Sequence, residues 1–136
     1  MAIARDRADA GTAGVLAGLA QTQAVAGRGD ALETLGRVAE VTERVNATEA
    51  ADFESMFGWP EVRLRHTQSY VYTALGETAR AYAAQDAALV LYGQELARER
   101  AAMLLHRAHC MIKDGDLSGG VGYAHQVLNE LPSERA

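Results

Sequence analysis

His106, His109 and Cys110 are the residues whose types and spacing come nearest to chemistry. His106 and Cys110 stand at i and i+4, which puts both side chains on one face of a helix, one turn apart. Imidazole nitrogen and thiolate sulfur are zinc ligands. In a helical hairpin turning near Gly115, His125 would come level with His106 and add a third donor. The competing account is solvated histidines and one buried thiol on an Ala- and Leu-rich helix. It is the account adopted: no metal and no cofactor is expected. Gly115-Asp116-Leu117-Ser118-Gly119-Gly120-Val121-Gly122 is glycine-rich. It lacks a preceding strand and a G-K-[ST] ending, so it makes neither a P-loop nor a dinucleotide fingerprint. Small residues there suit two helices that cross closely. Asp114 and Asp116 lack the twelve-residue calcium loop with its closing Glu. Arg28-Gly29-Asp30 reads as a turn with a cap. Asn46-Ala47-Thr48 matches a glycosylation acceptor but has no secretory signal to give it meaning. Ser55, Ser69, Ser118 and Ser133 have no G-x-S-x-G context. No nucleophilic triad can be built, and the chain is expected not to be an enzyme.

Composition narrows the classes further. The chain has 136 residues, enough for one domain with a core. Aromatic residues make up 6% and Ala is abundant, so the core must be made of small side chains on closely spaced helices. Ala is also the strongest helix former. A net charge of −5 argues against binding a phosphate backbone. No apolar run is long enough for a membrane span. Met1 to Ala10 shows no signal-peptide core. One cysteine, Cys110, allows no internal disulfide and fits a reducing cytoplasm.

These residues need elements to hold them, and three glycine turns mark those elements. Gly29-Asp30, Gly76-Glu77-Thr78 and Gly115-Asp116 each pair a helix-stopping Gly with a residue able to cap the next helix. Six helices are expected, over about 8–26, 31–46, 61–75, 78–92, 97–113 and 117–131. Val15, Leu16, Leu19 and Val25 are the expected apolar side of the first. Leu32, Leu35, Val38, Val41 and Val45 form the stripe of the second. The third carries Val62, Tyr70, Val71, Ala74 and Leu75, and the fourth Ala81, Ala84, Ala88 and Leu91. The fifth has Ala97, Ala101, Leu104, Leu105, Ala108, Met111 and Ile112. The sixth has Val121, Ala124, Val127, Leu128 and Leu131, with Pro132 as its stop. Residues 47–60 break the pattern; a short helical piece is expected there, with Phe53, Phe57 and Trp59 packed on the repeats.

The layout predicts an all-α, tetratricopeptide-like array of antiparallel helix pairs in a right-handed stack. It forms one domain over 1–136. Repeat one spans about 8–46, the aromatic insertion about 47–60, repeat two about 61–92 and repeat three about 97–132. Gly29 to Gly76 is 47 residues and Gly76 to Gly115 is 39, against an ideal period of about 34. Aligning the turn glycines puts the close-contact sites on Thr22 and Thr34, on Ser69 and Ala81, and on Ala108 and Gly120.

Phe57-Gly58-Trp59-Pro60-Glu61-Val62-Arg63-Leu64, Tyr72-Thr73-Ala74-Leu75-Gly76-Glu77-Thr78 and the helix from Ala81 to Tyr92 follow one known pattern in register. Arg107-Ala108-His109-Cys110, Gly115-Asp116, Val127-Leu128 and Leu131-Pro132 continue it. This stretch, about 53–132, resembles the tetratricopeptide-like C-terminal region of actinobacterial helix-turn-helix regulators of the xenobiotic-response-element (XRE) type. The resemblance implies ligand or partner sensing and dimerisation, with no catalytic residues. The family's DNA-binding domain has no counterpart before Ala8. The chain is therefore expected to be a truncated regulator or a stand-alone relative.

In such stacks the first helix of each pair lines the concave face. The alignment places Gln23, then Arg63, His66, Tyr70 and Thr73, then Leu105, His109, Ile112 and Lys113 there. This mixed, partly cationic groove would suit a peptide carboxylate or a small acidic ligand. The expected partners are the chain itself, as a homodimer, and a protein, peptide or small acidic ligand. Nucleic acid and membrane are excluded for this chain alone. The alternative is a small-molecule-binding helical protein whose pocket is lined by His and Tyr.

Overall fold

The computed structural model describes residues 9–49 and 61–132. Within them the fold is entirely helical. The helices are α1 (Ala10–Val25), α2 (Asp30–Glu49), α3 (Glu61–Leu75), α4 (Thr78–Leu91), α5 (Ala97–Lys113) and α6 (Leu117–Asn129). The expected aromatic insertion, with Phe53, Phe57 and Trp59, lies largely outside the described residues.

Successive helices pair as hairpins, α1 with α2, α3 with α4 and α5 with α6. α3 also lies against α1, α2 and α5, and α4 against α5. The first helices of the pairs thus form one row, and the second helix of each hairpin backs the next hairpin. The molecule is a helical-hairpin array of the kind expected.

Each hairpin turns through the same backbone motif. Gly27, Gly76 and Gly115 have φ of 75°, 78° and 101°, a left-handed conformation that glycine adopts without Cβ strain. Behind them, Arg28 N–H donates to Gln23 O, Glu77 N–H to Tyr72 O and Asp116 N–H to Met111 O. These are three copies of one Schellman closure. The glycine that stops the first helix is therefore Gly27, not Gly29, and the first-repeat register moves by two residues. Counting from Gly27 puts Ala20 where Ser69 and Ala108 stand. All three are buried, while Thr22 is exposed. The caps differ from the expectation too. Asp116 accepts from Gly119 N–H at 2.9 Å, but Glu77 makes no side-chain cap. Asp30 lies inside α2 and pairs with Arg28 at 2.6 Å.

The core is built of small and β-branched side chains. Ala13, Leu16 and Ala17 of α1 meet Val38, Val41 and Val45 of α2 and Leu64 of α3. A second cluster joins Ala20, Ala24, Ala31, Leu35 and Val71. The α2 stripe is as expected, but the α1 face is not. Val15, Leu19 and Val25 are exposed, and alanines at three- and four-residue steps turn inward instead. Ala gives up less apolar area than Val but lets two backbones approach, and here close approach wins. In α4, Ala81, Ala84 and Ala88 are buried and Leu91 is exposed. In α5 the buried set includes Met103 and Cys110 beside Ala101 and Ala108, while Ile112 is partly exposed beside Gly120. In α6 only Gly120 and Val127 are buried, and Val121 and Leu128 are exposed. At Gly120 a Cβ would stand 2.8 Å from the carbonyl oxygen of Ala108. That is the close crossing the glycine-rich stretch implied.

Candidate functional site

A groove of about 410 Å³ runs between α1 and α3. Gly14, Ala17 and Gly18 make one wall, and Gln21, Arg63, His66, Thr67 and Tyr92 complete it. The wall made by Gly14, Ala17 and Gly18 is smooth because these residues carry at most a methyl group. Polar groups come from Gln21 near the end of α1, from the facing helix α3 and from Tyr92 just past α4. Burial lowers the His66 pKa, and the Arg63 guanidinium lowers it further. At neutral pH His66 is therefore an uncharged hydrogen-bonding group beside a fixed positive charge. Burial raises the Tyr92 hydroxyl, Glu99 adds to this, and it stays a neutral donor. The Thr67 hydroxyl donates to Arg63 O at 2.9 Å and is not offered to the groove.

Behind His66 the seam between α3 and α5 holds a ring cluster. The His66 and His106 centroids are 5.2 Å apart at 60°. Tyr70 stands edge-on to His106 at 5.8 Å and 78°. Ser69 Oγ and His106 Nδ1 share a hydrogen bond of 2.7 Å. Deeper in the seam, the fully buried Gln85 accepts from Arg107 Nε at 3.0 Å and donates to Cys110 Sγ at 3.7 Å. Thr73 Oγ1 lies 3.3 Å from the same sulfur, and Arg107 pairs with Asp86 at 2.6 Å.

The expected site residues divide accordingly. Arg63 and His66 line the groove, and Tyr70 reaches His66 only through His106. Gln23 does not line it, because its Oε1 accepts from Thr34 Oγ1 at 2.6 Å and turns toward α2. The two-residue register shift makes Gln21 the α1 residue on this face. Thr73 is buried on Cys110 and is unavailable to a ligand. Lys113 donates to Ala74 O at 3.1 Å and so closes the last turn of α3. His109 is exposed and stands apart from the groove, as does Ile112, while Leu105 is half-buried. Gln21, Tyr92 and the small wall were missed in the sequence. Gln21 could have been found by choosing the left-handed glycine correctly; Tyr92 sits past a helix end, where periodicity says nothing.

The imagined metal set does not assemble. His106 Nδ1 is engaged by Ser69, Cys110 lies between Thr73 and Gln85, and His125 is exposed. Among the described residues no three His, Cys, Asp or Glu side chains stand close enough to share an ion. Nor is any described helix long and apolar enough to cross a membrane.

No known protein family, curated protein or solved structure matches the chain.

Proposed function

We propose that the chain is a non-catalytic interaction and sensing module that takes an acidic ligand in the α1–α3 groove and associates with itself. The carrying observation is the groove: a smooth wall of Gly14, Ala17 and Gly18 facing the Arg63 guanidinium and the neutral His66. A small-residue wall admits a peptide backbone, and guanidinium is the side chain best shaped for carboxylate. The resemblance to the sensing region of XRE-type regulators supports the same assignment, in the cytoplasm and outside the DNA contact itself.

The test is calorimetry with a panel of short acidic peptides ending in a free carboxylate, and with the same peptides amidated. Free-carboxylate members should bind. Arg63→Ala should weaken them at least tenfold, about 1.4 kcal/mol, and Gly18→Leu should abolish binding by filling the wall. Binding that survives both changes would refute the groove. A small molecule is the second reading, favoured by His66 and Tyr92 meeting in one concavity. A metabolite that raises the melting temperature of the wild type but not of His66→Ala would decide for it.

A further inference from the structure

The first and last described helices differ in composition from the four between them. α1 and α6 contain no Asp, Glu, Lys or Arg, whereas each of α2 to α5 carries both signs of charge. The end units of a helical array ordinarily show water a polar face. Here both ends show apolar side chains, and the repeat register tells what those side chains match.

Twelve positions before Gly27, Gly76 and Gly115 stand Val15, Leu64 and Met103. Leu64 is buried against the first hairpin and Met103 is fully buried, but Val15 is 73% exposed. Val15 thus holds the position that a preceding hairpin would cover. Inside the molecule Leu64 packs in one cluster with Ala13, Leu16 and Ala17 of α1 and Val38, Val41 and Val45 of α2. Counting from the turn glycines, Ala13 and Leu16 correspond to Ala101 and Leu104 of α5. Ala101 and Leu104 line an open groove of about 210 Å³ together with Val127 and Leu131 of the α6 end, and Arg100 and Glu130 stand at its edge. On α6, Leu117 and Val121 are 64% and 41% exposed.

We propose that the α6 end of one copy receives the α1 end of a second copy, with Val15 entering the groove that Leu64 fills inside the molecule. The inference rests on the self-association part of the function proposed above and gives it a direction. The joint repeats the one between the first and second hairpins and is head to tail. Each copy keeps one unused end, so assembly is open rather than a closed pair.

Sedimentation velocity on the full chain tests this with two variants. Val15→Glu with Leu19→Glu blocks the head; Val121→Glu with Leu128→Glu blocks the tail. All four side chains are exposed, and far-UV circular dichroism checks that the helices persist. Should either Glu pair unfold, Val15→Ser and Val121→Ser replace them in the same comparison. The wild-type mass should rise with concentration beyond a dimer. Each variant alone should stay monomeric, and an equal mixture should form a one-to-one pair and stop. A head-blocked variant that still dimerises alone overturns the head-to-tail joint and leaves self-association standing. A wild type that is monomeric at about 1 mM overturns both. A mixture no better associated than its components overturns the joint as well. Peptide binding in the α1–α3 groove is a separate readout that none of these outcomes touches.

Discussion

Burial holds the His106 imidazole neutral and lowers its pKa to about 4, with His66 and His109 adding to the effect. The unfolded chain takes up this proton near pH 6.5, so below that pH the unfolded state binds more protons than the folded one. Stability is then fully present above about pH 6.5 and is lost as pH falls toward 4. His66, lowered in the same direction, adds to the loss. Urea midpoints should fall between pH 7 and pH 5, with roughly 2–3 kcal/mol at stake for His106 over its whole window. His106→Asn, which keeps a partner for Ser69, should flatten the profile, and a proton-NMR titration should place the His106 midpoint well below the ordinary imidazole value near 6.5. Gln85 is a second residue-scale case. Gln85→Ala leaves Arg107 and Cys110 without a shared partner and opens a cavity, and should cost about 2–4 kcal/mol in denaturant unfolding. Neither residue advertised its role. A glutamine among alanines looks like a surface position, and the 37-residue separation of Ser69 from His106 hides their contact from any local pattern.

At the scale of elements, the α3 and α5 boundaries could be read directly from the sequence, because the Gly turns and the helical periodicity agree there. The inward face of α1 could not. Val15, Leu19 and Val25 carry more hydrophobicity than the alanines, so a reading weighted by hydrophobicity chooses the wrong side. What decides the matter is the permitted distance between α1 and its neighbours, which the chain's own periodicity does not encode. The two glycines of the first turn set the same trap: only backbone geometry shows that Gly27 is the left-handed one. Glycines in α6 give a paired prediction. Gly120→Ala pushes a methyl into the Ala108 carbonyl and the Ile112 side chain and should destabilise by about 1–3 kcal/mol. Gly122→Ala meets nothing within 4 Å and should stabilise by about 0.5–1 kcal/mol through helix propensity. Thermal melts of the two variants should move in opposite directions.

For the whole molecule, contacts are shared unequally along the row. α3 is packed by α1, α2, α4 and α5, whereas α6 rests on α5 alone among the described helices. In an array held by nearest-neighbour joints, the end with one joint opens first. Amide hydrogen exchange should therefore be fastest through α6 and slowest in α3 around Ser69 and Val71. The hairpin architecture was legible at this scale because it repeats. The groove was only half legible, since its far wall depends on how one hairpin sits against the next. Cys110 gives this stack a convenient property. It is the chain's one cysteine, and it is fully buried at the seam of the second and third hairpins, beside Thr73 and Gln85. A thiol reagent can reach it only when that seam parts, so the rate of labelling is a clock for the breathing of a single internal joint. The protein carries its own site-specific reporter, with no residue needing to be changed.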